Sequence, residues 1–132
     1  MQSSSFRDLK VWNKSMELVI LVYSIVRSLP NEEKFALADQ MRRCAVSIPS
    51  NIAEGHGRNS DREFIKFLHI SRGSLLELET QIEICFRLNY ITYEKELEIL
   101  DYIYQINKMI NSLIAYRCKQ SHNDKAEDIS KA

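Results

Sequence analysis

The sequence predicts an all-α protein, an antiparallel up-down-up-down four-helix bundle. Only three glycines and two prolines interrupt its 132 residues. Apolar residues recur at spacings of three and four through four segments, the signature of amphipathic helices. The connections between segments are short, which makes neighbouring helices antiparallel. The length fits one domain: a bundle over 7–119, between a flexible N-terminus (1–6) and a polar, disordered tail (120–132).

The first helix spans about Arg7 to Leu29, with Leu9, Trp12, Met16, Val19, Tyr23 and Val26 on one face. Val11, Leu18, Val22, Ile25 and Leu29 form a second apolar series, more than one bundle core needs. The second helix starts near Glu33 and directs Leu37, Ala38, Met41, Ala45, Ile48 and Ile52 inward. Pro49 lacks an N–H and its ring crowds the preceding turn, so a kink is expected there, with Ser47 or Ser50 compensating the freed backbone. Gly55 is read as the C′ residue ending this helix. Ser60 caps the third helix, with Glu63 three residues on. Its seam is Phe64, Leu68, Ser71, Leu75, Leu78, Ile82 and Cys85. Thr92 caps the fourth, whose Ile99, Ile103, Ile106, Ile110 and Leu113 repeat the spacing.

Eighteen Lys and Arg balance eighteen Asp and Glu, so attraction to nucleic acid or anionic lipid must come from a local patch. The three cysteines have neither CxxC nor His-paired spacing, which excludes a disulfide framework or a zinc site and fits a reducing cytoplasm. The longest apolar run, Leu18 to Tyr23, is too short to span a membrane, and the N-terminus lacks the pattern of a signal peptide. The chain is therefore expected in the cytoplasm.

None of His56, His69 and His122 has a glutamate three residues before it, so no di-iron site is expected, nor any other metal or cofactor. Gly55 to Ser60 follows a helix rather than a strand and lacks the Lys-Ser/Thr ending of a phosphate loop. A hydrolase would need Ser50, Glu54 and His56 to converge. The cations are more informative. Arg58, Arg62, Lys66, His69 and Arg72 follow at three- and four-residue spacings and line one face of the third helix, while Arg7, Lys10 and Lys14 make a shorter row on the first. Such rows neutralise phosphates, although no interleaved aromatics offer base stacking.

Four blocks carry a family resemblance: Phe6-Arg7-Asp8-Leu9-Lys10-Val11-Trp12, Leu37 to Ala45, Ser47-Ile48-Pro49-Ser50-Asn51-Ile52-Ala53-Glu54-Gly55, and Gly73-Ser74-Leu75-Leu76-Glu77. In this order they resemble the four-helix-bundle proteins encoded in intervening sequences of bacterial 23S rRNA genes. The resemblance implies a small bacterial protein without enzymatic activity that forms a homopentamer. It extends to the accessory protein of diversity-generating retroelements, a basic pentamer that binds nucleic acid. This chain departs from that relative in its zero net charge.

The expected function is thus a non-enzymatic, homo-oligomeric scaffold or binding module. Val11, Leu18, Val22 and Ile25 are the candidate oligomer interface. Pro49, Asn51, Glu54, Gly55, Gly73 and Glu77 are structural motif residues, with Asn51 and Glu54 bonding to a neighbouring helix or subunit. The alternative is an RNA- or DNA-binding accessory protein using Arg58, Arg62, Lys66 and Arg72.

Overall fold

The computed structural model describes residues 5–131, with side chains to 127. The N-terminal expectation for residues 1–4 lies outside the described residues. Four helices follow in order: α1 (Lys10–Val26), α2 (Leu37–His56), α3 (Asp61–Arg87) and α4 (Tyr93–Lys131). Each packs on its neighbours in the chain, and α4 closes onto α1. Among the described residues there is no strand.

The chain enters α1 through a short 3-10 turn, Phe6–Asp8. The Ser5 hydroxyl accepts from the Arg7 N–H at 3.1 Å, and the Asp8 carboxylate accepts from the Ser5 N–H at 3.2 Å. This reciprocal cap leaves Leu9 extended, so α1 starts at Lys10 rather than at Arg7. The Asn13 amide donates to the Arg7 and Leu9 carbonyls and ties the turn to the helix.

The core belongs to the seams expected on α2, α3 and α4. Ile48, Ile52, Leu68, Leu78, Ile82, Ile99, Ile106 and Ile110 are fully buried. On α1 the core-facing series is Val11, Leu18, Val22 and Ile25. This corrects their assignment to an oligomer interface: four buried side chains inside one copy's core cannot meet a second copy. The other series, with Trp12, Met16, Val19 and Tyr23, is left half-buried or exposed.

α2 is helical without interruption from Leu37 to His56, Pro49 included. The Ser47 hydroxyl donates to the Cys44 carbonyl and the Ser50 hydroxyl to that of Val46, both in their own helix. Neither goes to the Ala45 carbonyl that proline leaves without its donor. Gly55 is also corrected, because it lies inside the helix and Gly57 occupies the C-cap. A Cβ at Gly55 would stand 2.6 Å from the Phe67 Cβ and 2.9 Å from the Phe64 ring. Its smallness brings α2 against α3.

α3 begins as expected, the Ser60 hydroxyl accepting from the Glu63 N–H at 3.1 Å. It ends in a Schellman turn with Asn89 in the left-handed region at φ 63. The Tyr90 N–H bonds the Cys85 carbonyl and the Asn89 N–H that of Phe86. α4 continues through 120–131, where the sequence expects a polar tail. That stretch contains no glycine or proline, and extending a formed helix adds one bond per residue without a new nucleus.

Candidate functional site

Two surfaces concentrate the features that the sequence singles out. One is a cleft of about 520 Å³ where the α2–α3 loop and the start of α3 meet the later part of α4. Arg58, Arg62, Arg117 and Lys125 line it together with Asp61 and Asp124. Arg117 donates to Asp61 at 2.8 Å and lies over the Phe64 ring, 4.9 Å from its centroid. The His56 ring meets Phe64 edge-on. Burial first, and then the Arg117 guanidinium, lower the His56 pKa, so its ring is neutral at neutral pH.

The basic row does not act as one unit. Arg58 pairs with Glu54 at 2.7 Å and stacks over Phe67. Arg72 donates to the Asn111 side chain at 2.7 Å and contacts the His69 ring at 2.9 Å, bracing α3 on α4. Arg62 and Lys66 remain exposed on α3, and no ion pair engages either among the described residues. Arg117 and Lys125 have no counterpart in the sequence reading. They reach the cleft because antiparallel packing returns α4 to the α2–α3 loop.

The second surface is an apolar groove of about 330 Å³ between α1 and α2, lined by Phe6, Trp12, Met16, Val19, Val46, Pro49, Ser50 and Ala53. Ser50 therefore opens on this groove and His56 on the basic cleft. Glu54 is held by Arg58. The hydrolase set thus faces separate surroundings, which does not favour nucleophilic catalysis.

The motif residues stitch α2 to α3. Ser47 and Ser74 hydroxyls lie 2.6 Å apart, and the buried Ser71 hydroxyl donates to the Ile48 carbonyl at 2.9 Å. Asn51 donates to the Ser47 carbonyl and Glu54 accepts from Arg58. Both bonds are local within one copy. Glu77 lies near the Cys44 thiol, whose pKa burial pushes up to about 11, with the Glu77 charge adding to the shift. Gly73 is exposed in mid-helix. Among the described residues no three His, Cys, Asp or Glu side chains gather as a metal ion would require, and no helix is long and apolar enough to cross a membrane.

Residues 7–112 match the family described as 23S rRNA-intervening sequence protein. A crystal structure of a protein of unknown function from Bacteroides thetaiotaomicron VPI-5482, assigned to the S23 ribosomal protein family, resembles this fold with a TM-score of 0.74. The two are 33% identical, over 80% of this chain and 95% of that one. No curated protein matches.

Proposed function

We propose a function from one premise: this chain belongs to the 23S rRNA-intervening sequence protein family. It acts as a non-enzymatic, self-associating helical bundle in the cytoplasm, a scaffold or binding module. The observation that carries this is the apolar surface of α1 and α2: Ile20 is 70% exposed, and Met16 and Tyr23 are each 37% exposed. Together with the groove above Pro49 they form an area that water leaves unsatisfied and a second copy covers. A bend of α2 at Pro49, in the wall of that groove, belongs to the same reading. Five copies is the number the family resemblance implies. Light scattering at micromolar concentration tests the assembly: a multiple of the 15.5 kDa chain mass supports it, and a monomer overturns it.

A second reading, nucleic-acid binding, rests on Arg62 and Lys66, exposed and without ion pairs among the described residues, beside the cationic cleft. The likeness to the retroelement accessory protein belongs to this reading. A ring would repeat the weak patch and gain avidity. Filter binding across salt concentrations tests it. Affinity that falls steeply with salt, and is lost in Arg62→Glu and Lys66→Glu, supports binding; no retention at low salt ends the idea.

A further inference from the structure

Each wall of the cationic cleft carries an arginine held from two sides. On the α2–α3 wall, Arg58 donates to Glu54 at 2.7 Å and lies over the Phe67 ring, 5.1 Å from its centroid. On the α4 wall, Arg117 donates to Asp61 at 2.8 Å and lies 4.9 Å from the Phe64 centroid. A guanidinium presents several N–H donors in a rigid plane, and one carboxylate engages only part of them. Carboxylate and ring fix the plane in advance, which lowers the ordering cost of binding a further acceptor. In Arg117 the Nε is buried without a partner, so an added acceptor meets its terminal nitrogens. Two more cations, Arg62 and Lys125, line the same cleft. No ion pair engages either among the described residues.

We propose that this cleft binds a phosphate-bearing anion, either free or at the end of a nucleic-acid strand. In the second case the proposal rests on the nucleic-acid reading and names the group that is recognised. Arg58, Arg62, Arg117 and Lys125 line the cleft against Asp61 and Asp124. Glu54 and Asp61 are taken up by ion pairs, so Asp124 is the one lining acid left against Arg62 and Lys125. The balance is positive even with Glu54 counted. A phosphate monoester carries a charge of roughly −1.5 to −2 at neutral pH and offers three acceptor oxygens, which suits guanidinium forks on facing walls.

The shape of the site limits the ligand. A cleft of about 520 Å³ has the size of a small-ligand site, whereas the backbone of a long strand tracks an extended groove. A terminal phosphate projects from its strand and enters such a cleft. Arg117 and Lys125 lie after residue 112, where the family match ends, so family membership does not imply this site. It exists because α4 continues as helix past the α2–α3 loop and brings both residues opposite Arg58 and Arg62.

The test is calorimetric titration of the full chain with pyrophosphate at low salt. Fluorescence anisotropy then compares a 5′-phosphorylated oligoribonucleotide with its 5′-hydroxyl counterpart, and circular dichroism checks that each variant is folded. Arg62→Gln and Lys125→Gln are each expected to weaken pyrophosphate binding about tenfold, the loss of a charge-assisted hydrogen bond. Asp124→Asn is expected to tighten it. Lys34→Gln removes the same charge at the far end of the bundle, in the α1–α2 connection, and is expected to leave binding unchanged. An equal loss in Lys34→Gln would show a response to net charge alone and overturn the cleft. Pyrophosphate binding indifferent to Arg62 and Lys125 overturns it too. A tighter hold on the phosphorylated strand, lost in Lys125→Gln, identifies the strand end as the source. Pyrophosphate binding with neither strand retained identifies a free anion and removes the nucleic-acid reading. No pyrophosphate binding, with both strands retained by the wild type and released by Lys66→Glu, overturns the cleft and leaves the nucleic-acid reading standing.

Discussion

The α2–α3 seam and the outer face of α1 use similar side chains to opposite effect. Along the seam, Gly55 admits Phe67, the Ser71 hydroxyl reaches the Ile48 carbonyl, and Leu68 and Ile52 are fully buried. Along α1, Trp12 and Val19 are half-buried and Met16, Ile20 and Tyr23 are exposed, only partly covered by Phe6 and α2 among the described residues. The seam is completed by one copy, and the α1 face is not. Steric fit and satisfied hydroxyls mark a finished interface, whereas apolar content alone does not.

The sharpest way to break this comparison is to exchange the roles of the two α1 series. Leu18→Ala, in the core, is expected to lose about 2–5 kcal/mol of stability in urea denaturation. A loss of association with stability intact would restore Leu18 to an interface and overturn the assignment made from burial. Next comes the seam itself. Gly55→Ala forces a methyl against Phe67 and is expected to destabilise by about 1–3 kcal/mol despite the better helix propensity of alanine; an unchanged midpoint would show that α2 and α3 separate freely. Ser71→Ala, losing one buried bond, costs roughly 0.5–1.5 kcal/mol by the same measurement.

The smallest effect lies where α3 meets α4. Burial and the Glu83 carboxyl raise the Glu96 pKa, while hydrogen bonds from Arg87 and Glu96 lower that of Glu83. For Glu96 the stabilising contribution is full below its unfolded pKa and is lost as pH rises through the higher folded value. For Glu83 it is present above the unfolded value and lost as pH falls through the lower folded one. Thermal melts across the acid range should therefore show a decline on the upper side of the ordinary carboxylate pKa, which Glu96→Gln removes. A decline that persists in Glu96→Gln assigns it to another group.

Much of the fold was legible because α3 and α4 each carry one unbroken apolar period, and Ser60 has the chemistry of a cap. On α1 two apolar series compete at the same spacing. Periodicity alone does not say which one faces α2 and α4, so the choice between Val11–Leu18–Val22–Ile25 and Trp12–Met16–Val19–Tyr23 fell to tertiary packing. Gly55 was misread for a related reason. Glycine near the end of an apolar period resembles a C′ residue, and the Phe67 ring that requires it lies on another helix. Half of the basic cleft was hidden too, since Arg117 and Lys125 join Arg58 and Arg62 only after the chain reverses. Charge spacing likewise could not reveal that Arg58 and Arg72 are tied to Glu54 and Asn111.

The central claim is that the α1–α2 apolar face is completed by another copy. Sedimentation equilibrium of Val19→Glu beside the wild type, with circular dichroism on both, tests it most directly. The account predicts an assembled wild type and a helical Val19→Glu chain of lower mass. Equal masses with intact helicity would contradict it.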